Sequence, residues 1–244
     1  MTHSSSMLET GKSLPPSVCG QEPLAQSSHL STSSSDNKAT GAWGGRPLNP
    51  GRSAAISEYA GPEFLDVGCG NGQYVQHFCS SHVTAGIDIQ SYPQWADSPE
   101  KFQIADAAEL PFLTGSFSTV VSFETLEHVP DPESVLREFH RVCHKNIIIS
   151  VPNCELPPAM EASRLAFFHY TDRSHVNFFT PDSLALMLRK TGFEPTQVKL
   201  INHCVIQPLL NELLPLPSLL TGLLGRIAKR DAFPMTILAV AQRS

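Results

Sequence analysis

A chain of 244 residues with 41% hydrophobic and 16% charged positions has the composition of a globular protein built around one good-sized core, which excludes fibrous and largely disordered classes. Its formal net charge of −6, with no Lys/Arg stripe interleaved with aromatics, disfavours a nucleic-acid partner. Six cysteines without a C-x-x-C pair, one of them (Cys69) inside a glycine turn, argue against a disulfide scaffold and fit a reducing, cytoplasmic setting.

Residues 1–52 are rich in Ser, Thr, Gly and Pro and lack a periodic apolar pattern, so a disordered tail is expected there. No basic start followed by an apolar run marks a secretory signal. The folded domain is expected over 53–244, opening with a short helix at 53–59 that stops at Gly61-Pro62.

Strand-like and helix-like segments then alternate. An apolar strand at 64–67 runs into glycines, a helix follows at 73–79, and a second apolar strand occupies 83–89. A brief strand is expected at 102–104, and β-branched runs at 118–123 and 146–151 suit strands buried on both faces. Between these two, Asp131-Pro132-Glu133 supplies a cap, a first-turn proline and a first-turn acid, with Val135, Leu136, Phe139 and Val142 at helical spacing. The same start signal recurs at Thr180-Pro181-Asp182, and its apolar set runs to a stop at Gly192. Strands at 197–205 and 236–241 complete the pattern. It predicts an α/β fold, a doubly wound, seven-stranded, mostly parallel sheet.

The string Asp66-Val67-Gly68-Cys69-Gly70-Asn71-Gly72 joins the first strand to its helix, leaving backbone N–H groups free and no Cβ to block a ligand. Asp88, twenty residues beyond Gly68 (88 − 68 = 20) at the end of the second strand, is placed to accept from both hydroxyls of a ribose. A dinucleotide fingerprint needs its third glycine where Gln73 stands, and no Tyr-x-x-x-Lys pair follows. NAD is therefore the weaker reading.

Four stretches in order, "FLDVGCGNG", "AGIDI", "QIADAAELPF" and "FSTVVSFETLEHVPDPESVLREFHRV", resemble the class I S-adenosylmethionine-dependent methyltransferase family over roughly residues 62–192. The resemblance implies a Rossmann-like sheet whose last strand is antiparallel, and S-adenosyl-L-methionine as cofactor. It implies that Asp66 and the turn of Gly68, Gly70 and Gly72 lie by the methionine moiety, that Asp88 holds the ribose, and that Asp106 and Ala107 face the adenine. Two departures stand out: Ser118 where the family usually has aspartate, and "CHKN" in place of the "KPGG" turn before the fifth strand.

Glu124-Thr125-Leu126-Glu127-His128 follows the fourth strand, on the side of the sheet that faces cofactor and acceptor. Similar E-x-x-E-H strings occur in ubiquinone-pathway O-methyltransferases and in methyltransferases of small-RNA 3′ ends, where a later histidine completes a metal site, and His175 stands in a comparable place. One reading therefore makes Glu124, Glu127, His128 and His175 ligands of a divalent metal. The plainer reading, which the sequence favours, has Glu124 and His128 contact the cofactor or cap the loop. Without metal, His128 or His175 serves as catalytic general base. His169 is a weaker acceptor-side candidate.

A leucine-rich insert at about 208–230, interrupted by Pro215 and Pro217, is too broken to span a bilayer. It reads either as a lid or peripheral membrane contact, or as a packed or dimer-forming segment. The expectation is an enzyme that methylates a small-molecule acceptor, most readily at a hydroxyl. The rivals are an inactive, cofactor-binding regulatory homologue and an NAD-dependent enzyme. Acceptor and oligomeric state stay open.

Overall fold

The computed structural model describes residues 47–204 and 233–244, with isolated positions between them at 210–212, 217, 219, 220, 222 and 223. The expected tail as far as residue 46, and most of the leucine-rich insert, lie outside the described residues.

The first helix, α1 (Pro50–Tyr59), starts three residues before the expected position, because the Asn49 side chain accepts from the Arg52 N–H at 3.1 Å and Pro50 occupies the first helical position. The expected tail boundary at residue 52 is corrected accordingly: residues 50–52 are helix. Ala55 and Ile56 are buried, so sheet packing anchors a helix whose own amphipathic pattern is weak.

Beyond it come β1 (Glu63–Val67), α2 (Gln73–Phe78), β2 (Val83–Asp88), β3 (Phe102–Ile104), β4 (Phe117–Phe123), α3 (Pro132–Val142) and β5 (Cys143–Pro152). The chain continues through α4 (Pro158–Ala162), α5 (Pro181–Lys190), β6 (Phe193–His203) and β7 (Pro234–Arg243). The sheet order is β3-β2-β1-β4-β5-β7-β6. Pairs among the first five strands are parallel, whereas β7 runs antiparallel to both β5 and β6. The doubly wound sheet with its last strand reversed is thus as expected.

Every residue of β4 is buried, the polar Ser118, Thr119 and Ser122 included, as expected of a strand covered on both faces. On one face of the sheet α3 and α5 contribute Val135, Leu136, Phe139, Leu184 and Leu188 to the larger core cluster. On the other, α1 and α2 supply Ile56, Tyr74 and Phe78 to a second. Each such side chain, fully buried, contributes about 1.5–3 kcal/mol through removal of apolar surface from water. Strand order reverses at β1, so the carboxyl ends of β1 and β4 border the crevice where open α/β sheets bind ligands.

Both departures from the family pattern have structural solutions. Ser118 Oγ donates to the Glu63 carbonyl at 2.5 Å and accepts from the Glu63 N–H at 3.0 Å, tying β4 to β1 without a carboxylate. The "CHKN" segment forms no turn. β5 begins at Cys143, directly after α3, and the Asn146 amide donates to the Tyr59 carbonyl at 2.9 Å. β6 starts four residues before the expected 197, despite Pro195, because it is an edge strand with an irregularity between Pro195 and Gln197, where a missing ladder donor is tolerated.

Candidate functional site

β1 delivers the chain into the glycine turn with positive φ at Gly68 (74°), Gly70 (53°) and Gly72 (79°). The three glycines serve different ends. A Cβ at Gly68 would collide with the Thr125 side chain and one at Gly72 with the Phe102 ring, so these two permit close packing. A Cβ at Gly70 would meet nothing within 4 Å, so here the turn opens onto free space. The Gly70 peptide is pinned from both sides: its N–H donates to Asp88 Oδ2 at 2.9 Å, and its carbonyl accepts from Trp95 Nε1 at 2.8 Å. Trp95 in turn stacks on Phe102 at 5.0 Å between centroids.

Asp66 lies beneath the turn, 2% exposed, and its Oδ2 has no hydrogen-bond partner. Burial, and then the nearby Asp88 carboxylate, push its pKa up to about 8, an effect the Arg52 charge partly offsets. Asp106 sits in the loop after β3, exposed, accepting from the Ala108 N–H at 2.8 Å, with Ala107 half-buried beside it. Ile89 and Ile104, at the ends of β2 and β3, are 76% and 57% exposed, leaving two apolar side chains beside Asp88 and Asp106.

At the end of β4 the chain bends through Glu124, a non-glycine residue with φ 53°. That conformation is uncommon for glutamate, and here its neighbours over-determine it. The Glu124 N–H donates to the Ser150 carbonyl at 2.8 Å, while its carboxylate accepts from Ser150 Oγ at 3.1 Å and pairs with Arg52 Nη2. Arg52 reaches this position from α1 and lies 5.4 Å from the centroid of Phe123.

Glu127, His128 and His175 converge. One ligand atom from each lies within 4.8 Å of the others, the only such three-residue group among the described residues. The Glu127 carboxylate is 1% exposed and neither oxygen has a hydrogen-bond partner. Burial, followed by the Glu124 charge, raises its pKa to about 9. His128 Nε2 lies 3.8 Å from Glu127 Oε1, and the His128 and His175 ring centroids are 4.8 Å apart. The second histidine is brought in by its own segment: Val176 and Asn177 N–H groups donate to the Glu127 carbonyl at 2.8 and 3.1 Å. Asn177 Nδ2 also donates to the carbonyls of Leu126 and Val129 at 3.0 and 2.7 Å.

Glu124, expected as a fourth metal ligand, is not in this group; Arg52 and Ser150 engage it instead. His169 is buried, its ring centroid 6.5 Å from that of His175. Sequence reasoning missed Arg52 and Trp95. The Asn49-Pro50 cap was a signal that could have moved the helix start and brought in Arg52, whereas no local pattern links Trp95 to a carbonyl 25 residues away.

A family model of a methyltransferase domain matches residues 46–198. The chain is 29% identical over 153 residues to 27-O-demethylrifamycin SV methyltransferase of Amycolatopsis mediterranei, covering 56% of this chain and 55% of the relative. It is 30% identical over 171 residues to a ubiquinone biosynthesis O-methyltransferase of Xanthomonas euvesicatoria, covering 60% and 70%. The chain thus spans just over half the length of the first of these. An S-adenosylmethionine-dependent methyltransferase from Mesorhizobium loti superimposes with a TM-score of 0.56 at 18% identity, covering 80% of this chain and 96% of that one. The 1,6-didemethyltoxoflavin-N1-methyltransferase of Burkholderia thailandensis, solved with S-adenosylhomocysteine, gives 0.55 at 18% identity, covering 80% and 77%. At these identities the two structures establish the fold.

Proposed function

Since this chain belongs to the methyltransferase-domain family, we propose that it moves the methyl group of S-adenosylmethionine onto a hydroxyl of a small-molecule acceptor. The observation that carries the donor half is the Gly70 peptide, open on one side and fixed by Asp88 and Trp95 on the other. The nucleoside sulfonium donor lies against such a turn with its ribose hydroxyls on Asp88 and its adenine between Ile89, Ile104 and the Asp106-Ala107 loop. The hydroxyl preference is supported by two relatives whose names specify O-methylation.

Transfer is an in-line displacement. The acceptor oxygen bonds to the methyl carbon as the carbon–sulfur bond breaks, its electron pair stays on sulfur, and the hydroxyl proton leaves to a base. Without a metal, His128 or His175 takes that proton, being beyond β4 on the acceptor side of the crevice. Incubation with methyl-labelled S-adenosylmethionine and matched phenol and aniline acceptors tests the reading; label in the phenols supports it, and label in the anilines alone overturns the hydroxyl assignment. Tight donor binding without transfer to any acceptor would instead support a regulatory homologue.

The residues at Glu127 also fit a divalent cation. A buried carboxylate without a hydrogen-bond partner, flanked by two imidazoles, is a donor set of mixed hardness suited to Mg²⁺ or Zn²⁺. Such an ion would act as a Lewis acid toward an acceptor hydroxyl. Mg²⁺ or Zn²⁺ is then expected to raise the melting temperature of the wild type by about 3–8 °C at a hundredfold excess over Kd, and not that of Glu127→Ala. Identical melting curves with and without each metal remove the metal from the reading.

A further inference from the structure

The turn from Gly68 to Gly72 carries five backbone N–H groups, and four of them are used inside the protein. Those of Gly68 and Cys69 donate to the Ile87 carbonyl at 2.9 Å, that of Gly70 to Asp88 Oδ2 at 2.9 Å, and that of Gly72 to the Cys69 carbonyl at 2.9 Å. The Asn71 side chain folds back to accept from the Gln73 N–H at 3.3 Å, but among the described residues the Asn71 N–H has no acceptor. What orients this last donor lies outside the turn. It shares a planar trans peptide with the Gly70 carbonyl, so the two groups point in opposite directions. Glycine alone imposes little preference between the two orientations of that peptide. The choice is made by Trp95, whose Nε1–H donates to the Gly70 carbonyl at 2.8 Å, beside a weaker Cys69 Sγ contact at 3.8 Å. With its carbonyl held at the indole, the peptide directs the Asn71 N–H away from it.

Trp95 is itself firmly placed. It belongs to a short 3₁₀ turn (Pro93–Asp97) after β2 and is 7% exposed. Its ring lies nearly parallel to that of Phe102, at 8°, and 5.9 Å from that of Tyr92, in a small cluster with Cys69 and Val75. Phe102 in turn lies against Gly72 and Gly86, where a Cβ would overlap its ring. Gln76 Nε2 donates to the Gln94 carbonyl at 2.9 Å and ties the segment to α2. The glycine turn thus rests on an aromatic core of its own, and the indole N–H is in place with little left to order when a ligand arrives.

Resting on the donor assignment above, we propose that Trp95 is a positioning residue for the methyl donor, its indole N–H holding the Gly70–Asn71 peptide in the orientation that presents the Asn71 N–H to the bound donor. Trp95 touches no reacting atom. It acts through one preset backbone donor, so the segment between β2 and β3 sets part of the donor affinity without contacting the donor itself.

Calorimetry and amide hydrogen exchange, both with S-adenosylhomocysteine on the full chain, test this role. Trp95→Phe keeps an aromatic ring against Phe102 and removes the N–H. It is expected to weaken S-adenosylhomocysteine by about 3- to 10-fold. In the wild type, saturating ligand should slow exchange of the Asn71 amide by about tenfold or more, and in Trp95→Phe at equal saturation that slowing should be lost. A Trp95 that only packs would change the melting temperature and leave Asn71 equally protected in both saturated complexes, which overturns the proposal. Equal affinity in the two proteins overturns it as well, and so does an Asn71 amide that the ligand leaves unprotected in the wild type, a measurement that decides the matter should Trp95→Phe not fold. Each of these outcomes leaves the donor assignment standing, whereas failure of the wild type to bind S-adenosylhomocysteine overturns both.

Discussion

Asp88→Ala is expected to weaken S-adenosylhomocysteine by about 100-fold or more in calorimetry, the largest single loss at the donor site. Two effects combine in this carboxylate. On the proposed donor assignment it accepts from the ribose hydroxyls, and charged acceptors contribute about 1.5–3 kcal/mol over an unmade bond. It also accepts the Gly70 N–H at 2.9 Å, and through that bond fixes the one glycine of the turn that opens onto free space. Removing the side chain leaves the Gly70 N–H without that acceptor, while its carbonyl keeps Trp95 Nε1 at 2.8 Å and the weaker Cys69 Sγ contact. Asp88→Asn keeps a neutral acceptor for the Gly70 N–H, so its loss should be smaller, about tenfold. Both substitutions are at a half-buried position at the end of β2, and the melting temperature should change little. Unchanged affinity in Asp88→Ala would sink the donor assignment.

The second large effect is on stability as a function of pH. Glu127 is raised from 4.5 to about 9 and Asp66 from 3.8 to about 8, in each case chiefly by burial. In the unfolded chain both groups ionise at their ordinary values. Between about pH 4 and 9 the native state therefore holds protons that the unfolded state has released, and stability falls as pH rises across that window. The stabilising contribution is complete below the ordinary carboxylate range and lost through pH 8–9.

Glu127→Gln keeps the shape and removes the ionisation. It is expected to melt within about 2 °C of the wild type at pH 5 and about 4–8 °C above it at pH 8.5, from about 2 kcal/mol of relieved charge burial. The slope that remains belongs to Asp66, and Glu127→Gln/Asp66→Asn should be nearly flat across the same range. Parallel melting-temperature curves for wild type and Glu127→Gln would show that the Glu127 carboxylate is not buried as a neutral acid.

Much of the fold was readable along the chain. Strands β1 and β2 read as short apolar segments and β4 and β5 as β-branched runs because both faces of the sheet are covered, and α3 and α5 carry their start signals in the residues Asp131-Pro132 and Thr180-Pro181. The boundaries that slipped were those fixed by packing. Pro195 hid the first turns of β6, which its edge position accommodates, and α1 has little amphipathic signal because its burial is confined to Ala55 and Ile56.

The site divides in the same way. The glycine turn, Asp88 and the E-x-x-E-H string are local features, since positive φ and fixed spacing within a strand–turn–helix unit are written into consecutive residues. By itself the sequence determined the sheet, the glycine turn and the place of the E-x-x-E-H string after β4. Only the tertiary structure decided how those residues are paired: Glu124 with Arg52 rather than with the histidines, Glu127 left without a hydrogen-bond partner between His128 and His175, and Trp95 on the Gly70 carbonyl. Those contacts join elements far apart in the chain, 72 residues in the case of Arg52 and Glu124, and are set by sheet order and helix docking, which no local pattern of residue types encodes.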